Sequence, residues 1–157
     1  KINKGVFMNQ QRRSVLKYSA VFGLMASTGL ISTAQAQEWN KAAFEGKGID
    51  DVFKILSSGT PDKSSAVTLN APDIAENGAV VPVGITTTLK AEQMAILVEK
   101  NPSSLAAQFF IPAGTDSFVT TRIKMGQTSN VYGLVKADGK WLMTVKEVKV
   151  TLGGCGG

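Results

Sequence analysis

The sequence beyond Gly59-Thr60-Pro61 consists of short runs rich in β-branched residues that are separated by turn residues, and this alternation limits the folds open to the chain. Strands are predicted at 66–69, 80–89, 95–99, 107–111, 117–125, 129–136 and 141–152. Asp138-Gly139 between the last two is a typical hairpin turn. No helical segment alternates with these strands, so a parallel α/β sheet is not expected. The pattern predicts an all-β, immunoglobulin-like antiparallel β-sandwich of about 90 residues.

The segment 38–58 precedes the predicted strands and has a different periodicity. Its apolar residues recur at spacings near three and four, and Gly46 and Gly48 interrupt the pattern. Two short N-terminal helices are therefore predicted. Asp50-Asp51 precedes an apolar run and is interpreted as an N-terminal cap that also compensates the helix dipole. Within the strands, Pro82 favours an edge or a bulge.

The first 36 residues have the composition of an export signal. An apolar stretch covers 15–31, and Ala34-Gln35-Ala36 matches a small-residue cleavage site. The segment 11–17 is similar to the twin-arginine export motif, with Arg12 and Arg13 as its arginines. We expect residues 1–36 to be a signal peptide, 37–152 to be the folded domain, and the mature protein to be periplasmic. A buried helix and ordinary secretion of an unfolded chain are the alternatives.

The net positive charge of the chain lies entirely in this first segment. The whole sequence has 17 basic and 12 acidic residues, and the five excess positive charges all precede Ala36. The remainder is neutral overall, so neither a nucleic acid nor an anionic membrane is expected as a partner of the mature form. Twin-arginine transport carries folded proteins, and the sequence offers little that would hold a cofactor. A companion subunit exported in the same folded complex is therefore expected.

The sequence has one cysteine, Cys155, in the segment Gly153-Gly154-Cys155-Gly156-Gly157. One cysteine cannot close a disulfide within its own chain, so the fold must depend on its core. Because glycine leaves the backbone unusually free, residues 153–157 are predicted to be a flexible arm with a reach of roughly 10 to 15 Å. An unpaired cysteine in an exported protein is either a reactive thiol or an intermolecular linker. The residues leave both readings open.

The groups that would activate this thiol are missing from the sequence. It contains no histidine, so the usual base of a cysteine hydrolase is absent. One thiolate without an imidazole does not complete a zinc or copper site either. Met94, Met125 and Met143 are interpreted as core residues, and Asp73 and Glu76, which flank a turn, as solvated. We expect no cofactor, no metal and no autonomous enzyme activity; partner enzymes would activate the sulfur.

Two segments of the chain resemble the SoxY family of bacterial sulfur carriers. One is Gly153-Gly154-Cys155-Gly156-Gly157 together with the preceding residues 145–152, and the other is the stretch 71–83. With the export signal, the likeness spans nearly the whole chain. Asp73 stands where we would expect Glu in the family, which leaves the acidity of the segment intact.

The resemblance implies an immunoglobulin-like fold, a heterodimer with the companion SoxZ, and a periplasmic role in thiosulfate or sulfide oxidation. It also implies that Cys155 carries the substrate covalently. Thiosulfate would be attached oxidatively at the haem protein SoxXA, and sulfate would be released by the hydrolase SoxB. The sulfane dehydrogenase SoxCD is a further candidate partner.

Two other functions compete with this one. An exported binding or structural module would use Cys155 for an intermolecular disulfide. A ubiquitin-like carrier would instead use Gly156-Gly157 as an activated carboxyl terminus, but such carriers are normally cytoplasmic and have a β-grasp fold.

Overall fold

The computed structural model describes residues 40–151 of the chain. These residues form two α-helices, α1 (Lys41–Glu45) and α2 (Ile49–Ser57). They also form nine β-strands: β1 (Asp62–Lys63), β2 (Val67–Asn70), β3 (Ile74–Ala75), β4 (Val81–Thr87), β5 (Ala91–Val98), β6 (Leu105–Phe110), β7 (Phe118–Ile123), β8 (Ser129–Ala137) and β9 (Lys140–Val150).

The strands form two sheets, as predicted for an all-β sandwich. The larger sheet has the order β1-β9-β8-β5-β6, with β3 also paired to β9, and the smaller sheet has the order β2-β4-β7. All pairings are antiparallel except those of β1 and β3, which run parallel to β9. Each of the seven predicted strands is present, although β5 begins at Ala91 and not at residue 95. The two-residue strands β1 and β3 were not predicted.

The core between the sheets consists of the inward side chains of both. Val83 and Ile85 of β4 pack with Met94 and Ile96 of β5, and all four side chains are almost completely buried. Met125 and Met143 are buried as well. The interpretation of the three methionines as core residues is therefore confirmed.

A second cluster forms where the helices cover the outer face of the larger sheet. Val52 and Phe53 of α2 pack with Ala95 and Leu97 of β5, among others. Residues of β5 are thus buried on both faces, which explains why this strand lacks apolar–polar alternation. The two predicted helices are confirmed, and Asp50 and Asp51 lie in the first turn of α2. Their predicted capping role is wrong, because the N-cap residue is Gly48 and no side chain caps this end.

The hairpin between β8 and β9 confirms the predicted Asp-Gly turn. Asp138 and Gly139 have φ angles of 50° and 72°, as a two-residue type I′ turn requires. The two strands then pair from Ala137 and Lys140 to Ser129 and Val148 without a register shift. This continuous pairing with β8 holds β9 in the larger sheet as far as Val148, near the C-terminal end of the strand.

Pro82 does not mark an edge strand, because β4 is the middle strand of the smaller sheet and its pairing has no bulge. However, β2 pairs with β4 only from Gly84 onward. Pro82 therefore pairs with β7 and has no partner on the β2 side of β4. On the β2 side a missing amide hydrogen removes no hydrogen bond between strands.

The predicted signal peptide, including Arg12 and Arg13, and the arm residues 153–157 lie outside the described residues. The proposed domain boundaries at residues 36 and 152 therefore stay predictions. Neither helix of the described region is long and apolar enough to cross a membrane.

Candidate functional site

Cys155 lies outside the described residues, as do Gly153, Gly154, Gly156 and Gly157. The last described residue is Thr151, four positions before the cysteine. The structure therefore describes the chain up to two positions before the predicted terminal arm (residues 153–157). We refer to residues 149–151, at the end of β9, as the arm base.

One edge of the arm base is bonded to β3. Ile74 is in register with Lys149, and Ala75 is in register with Val150. The amide of Lys149 donates to the carbonyl oxygen of Asp73 at 2.9 Å, and the amide of Thr151 donates to that of Ala75 at 3.1 Å. The short strand β3 therefore holds the chain up to Thr151.

The opposite edge of the arm base is bonded to a side chain. Pairing with β8 ends at Ser129 and Val148, so the amide of Val150 has no strand partner beyond that point. It donates instead to Oγ1 of Thr128, at 3.0 Å. Successive amides of a strand point to opposite edges, so the arm base is held from both sides.

The loop that follows β3 packs closely against the arm base. The carbonyl oxygen of Gly78 accepts a hydrogen bond of 2.7 Å from the amide of Met125. A Cβ atom at Gly78 would overlap with the carbonyl oxygen of Met125 and would lie 2.9 Å from Cγ1 of Val150. Only glycine fits this close approach of two backbone segments.

An ion pair joins the same two regions slightly earlier in β9. Lys146 Nζ lies 2.8 Å from Asp73 Oδ1 and also donates to the carbonyl oxygen of Ala71 at 2.5 Å. The hydrogen bond from Lys146 and its positive charge hold the pKa of Asp73 below its ordinary value. Asp73 is exposed, as predicted, but its carboxylate is paired and not merely solvated. Glu76 is exposed.

The structure thus brings together two of the segments that the sequence analysis singled out. Ala71, Asp73, Ala75 and Gly78 all belong to the stretch 71–83, and each contacts the last part of β9 or the arm base. The stretch therefore acts as a support for the arm base.

Sequence reasoning missed two members of this support, Thr128 and Lys146. Lys146 stands on the side of β9 that is otherwise largely apolar, between Thr144 and Val148. A charge on such a side indicates a specific partner, so this signal was present in the sequence. Nothing in the sequence distinguishes Thr128 from other threonines in turns.

The described residues 40–151 contain no group of three or more His, Cys, Asp or Glu side chains that could hold a metal ion. Besides Asp73, Tyr132 has a displaced pKa, which is raised mainly by burial and further by the charge of Glu99. The Tyr132 ring packs edge-to-face on Phe53, with ring centroids 5.8 Å apart. Its surroundings indicate a role in packing.

The comparison with known families shows which family the chain belongs to. The family model described as "Sulfur oxidation protein SoxY" matches residues 53–155. The chain belongs to the SoxY family. The resemblance to this family is therefore confirmed, and the matched range includes the stretch 71–83 and Cys155.

A solved structure agrees with this assignment. The sulfur carrier protein SoxY from Chlorobium limicola f thiosulfatophilum is 36% identical, with a TM-score of 0.58, and the match covers 67% of this chain and 97% of that chain. No curated protein sequence matches the chain. Membership of the SoxY family gives this chain a sulfur-carrier role in sulfur oxidation, places it in the Sox pathway and implies a SoxZ partner.

Proposed function

We propose that the protein is a periplasmic carrier of the Sox system that holds sulfur intermediates covalently on Cys155. The observation that supports this most is the bonding of the arm base. The amides of residues 149–151 are bonded on both edges of β9, and Cys155 stands four residues beyond Thr151. A thiol on a glycine-rich segment next to a fixed strand end suits repeated presentation of one cargo to different enzymes.

The fixed arm base has a physical consequence for a docked enzyme. When the start of a short segment is fixed, its end searches a small volume, so its effective concentration at a nearby site is high. The four glycines Gly153, Gly154, Gly156 and Gly157 remove side chains that would clash with a narrow active-site entrance. Under this proposal, the bonded arm base and the glycines around Cys155 both help the sulfur to reach the active site of a docked enzyme.

The proposed chemistry begins with thiosulfate. The thiol of Cys155 loses its proton and forms an S–S bond with the outer sulfur of thiosulfate, while the two electrons released pass to the haem protein SoxXA. Water then attacks the sulfone at the hydrolase SoxB. The bond between the sulfone and the sulfane sulfur breaks, which gives sulfate, one proton and a persulfide on Cys155. The dehydrogenase SoxCD would oxidise that persulfide further where it is present.

The domain itself supplies none of this catalysis under the proposal. The sequence has no histidine to deprotonate the thiol. The partner enzymes therefore provide the base, the electron acceptor and the attacking water. The carrier contributes the sulfur atom and its placement.

The proposed location and assembly depend on the first 36 residues. We propose that they direct export through the twin-arginine route by Arg12 and Arg13, and that SoxZ is exported in the same folded complex. Replacing both arginines by lysine should retain the precursor in the cytoplasm. Immunoblots of periplasmic and cytoplasmic fractions would test this.

Intact-mass spectrometry of the protein purified from thiosulfate-grown cells tests the central proposal. We expect the terminal peptide to carry added sulfur atoms or an S–SO₃⁻ group on Cys155, and we expect Cys155→Ser to remain unmodified. A variant that is loaded like the wild type would contradict the proposal. A stable disulfide to a second protein on a non-reducing gel would favour the alternative structural role.

A further inference from the structure

The loop between β3 and β4 contains the only Asn-Gly pair of the chain, Asn77-Gly78. The side-chain amide of an asparagine is open to attack by the backbone nitrogen of the next residue, because the attack closes a five-membered ring. A side chain on that next residue hinders the attack, and glycine has none. The other asparagines between residues 40 and 151 are followed by Lys41, Ala71, Pro102 and Val131. The sequence thus singles out Asn77 for reaction with its own backbone.

The turn formed by residues 77–80 favours this reaction. The amide of Ala79 donates to Oδ1 of Asn77 at 2.9 Å, and the amide of Val80 donates to the carbonyl oxygen of Asn77 at 3.2 Å. The first of these bonds folds the side chain of Asn77 back along the peptide that joins it to Gly78. Negative charge develops on Oδ1 when Cγ is attacked, and the amide of Ala79 is already directed at that oxygen.

The two nitrogen atoms that would react are not engaged elsewhere. Within residues 40–151, neither the amide of Gly78 nor Nδ2 of Asn77 takes part in a hydrogen bond. Asn77 is exposed, so water reaches its side chain and released ammonia can leave. Gly78 is buried, and its Cα and carbonyl group pack against Met125 and Val150. The nitrogen of Gly78 is therefore held in place and has no competing partner.

The geometry points to Asn77 as a site of spontaneous deamidation. The nitrogen of Gly78 loses its proton and bonds to Cγ of Asn77, Nδ2 leaves as ammonia, and a cyclic imide forms. Water then opens the ring at one of its two carbonyl carbons. Breaking the bond from the nitrogen to Cγ gives aspartate, and breaking the bond from the nitrogen to the main-chain carbon gives isoaspartate. One water is consumed and one ammonia is released, and the reaction needs no oxidant, metal or enzyme.

The isoaspartate product does not fit the packing at the arm base. It lengthens the main chain between residues 77 and 78 by one carbon atom, because the peptide bond then runs through the side chain. Gly78 has no room for such a shift, since an added methyl group would already overlap with the carbonyl oxygen of Met125. The hydrogen bond of 2.7 Å from the amide of Met125 to Gly78 must therefore lengthen or break.

This inference goes beyond the proposed function of Cys155, because it concerns how long the support of the arm base stays intact. The loop that packs against Val150 carries a reactive pair whose chemistry loosens that same packing. The damage is covalent, so it accumulates with the age of each molecule.

The chain offers two matched controls. Asn70 is exposed like Asn77, but the next residue, Ala71, carries a side chain that hinders the attack. In Asn77→Ser a hydroxyl oxygen can still accept from the amide of Ala79, but the side chain has no amide to lose.

The test incubates the purified carrier, in complex with its companion subunit, at mildly alkaline pH. Mass spectrometry follows the peptides that contain Asn77 and Asn70, since deamidation raises the mass by one unit and isoaspartate separates from aspartate on elution. We expect deamidation at Asn77 to be about tenfold faster than at Asn70, a difference of about 1.4 kcal/mol in the barrier. Hydrogen exchange at the amide of Met125 should be about tenfold faster in aged than in fresh wild-type protein. Aged Asn77→Ser should match its fresh form.

Two results would overturn this inference. Deamidation at Asn77 that is no faster than at Asn70 would show that the pair is not a reactive site. Unchanged exchange at Met125 in protein that contains isoaspartate would show that the packing is not loosened. Neither measurement involves Cys155, so failure of the proposed function, seen as normal loading of Cys155→Ser, is a separate result.

Discussion

Lys146 and Asp73 form an ion pair, with 2.8 Å between Nζ and Oδ1, that joins β9 to the residue preceding β3. The same ammonium group donates to the carbonyl oxygen of Ala71. Lys146 of β9 thus contacts two residues of the stretch 71–83, which supports the arm base. This contact links the stretch 71–83 to the cysteine-bearing end of the chain.

The ion pair predicts a small dependence of stability on pH. Because the pKa of Asp73 is lowered in the folded state, its contribution is present above the ordinary pKa of 3.8 and is lost as the pH falls below that value. We expect Asp73→Asn to lower the thermal midpoint slightly at pH 6 and by less near pH 2. Asp116→Asn, in the loop before β7, is the control. An equal effect of Asp73→Asn at both pH values would contradict the role of the charge.

Thr128 is predicted to hold the arm base in place. In Thr128→Val the amide of Val150 loses its acceptor, so we expect the free energy of unfolding to fall by about 1 kcal/mol. Hydrogen exchange at Val150 should also become faster than at Val148. Thr128→Ser keeps the hydroxyl and should behave like the wild type. Identical exchange at Val150 in the valine variant would show that the hydrogen bond contributes nothing.

Gly78 is predicted to be irreplaceable for steric reasons. The added methyl group of Gly78→Ala overlaps with the carbonyl oxygen of Met125, and neither backbone segment can move without displacing the arm base. We expect a loss of about 2 kcal/mol or more in urea unfolding. Gly126→Ala is a nearby control, because no heavy atom lies within 4 Å of the position that its methyl group would take. Equal stability of the two variants would contradict the steric argument.

The glycines before the cysteine are predicted to govern loading and not folding. Gly153→Pro/Gly154→Pro fixes two φ angles just before Cys155, so we expect conjugation of thiosulfate to slow about tenfold, because the stiffened segment cannot adjust to place the sulfur correctly in the active site of the enzyme. The thermal midpoint should not change. Gly153→Ala/Gly154→Ala, which restricts the backbone less, should give an intermediate rate. Unchanged turnover of the proline variant with every partner enzyme would count against a moving arm.

The sequence predicted the elements whose residues carry a local signal. The helix α2 and the strands β8 and β9 have clear periodicity, and Asp138-Gly139 is a strong turn signal. The fold class follows from these elements. The late predicted start of β5 has a local cause as well, since Ala91-Glu92-Gln93 carries no apolar run although it pairs in the sheet.

The parts that were not predicted depend on contacts between distant residues. The strands β1 and β3 have two residues each, which is too short for any periodicity, and they exist because β9 offers a free edge. The partner of Asp73 is Lys146, far away in the sequence, so the ion pair could not be inferred from the turn alone. The hydrogen bond from Val150 to Thr128 likewise requires the fold.

The two-sided bonding of β9 has a mechanical consequence. The hydrogen bonds to Asp73, Ala75 and Thr128 run across the strand, so tension applied along the chain loads them in parallel as shear and does not open them one by one. Under the proposed function, an enzyme that binds the cargo and then dissociates pulls against the whole larger sheet. The arrangement of these bonds therefore protects the end of β9 from being unzipped by a force along the chain.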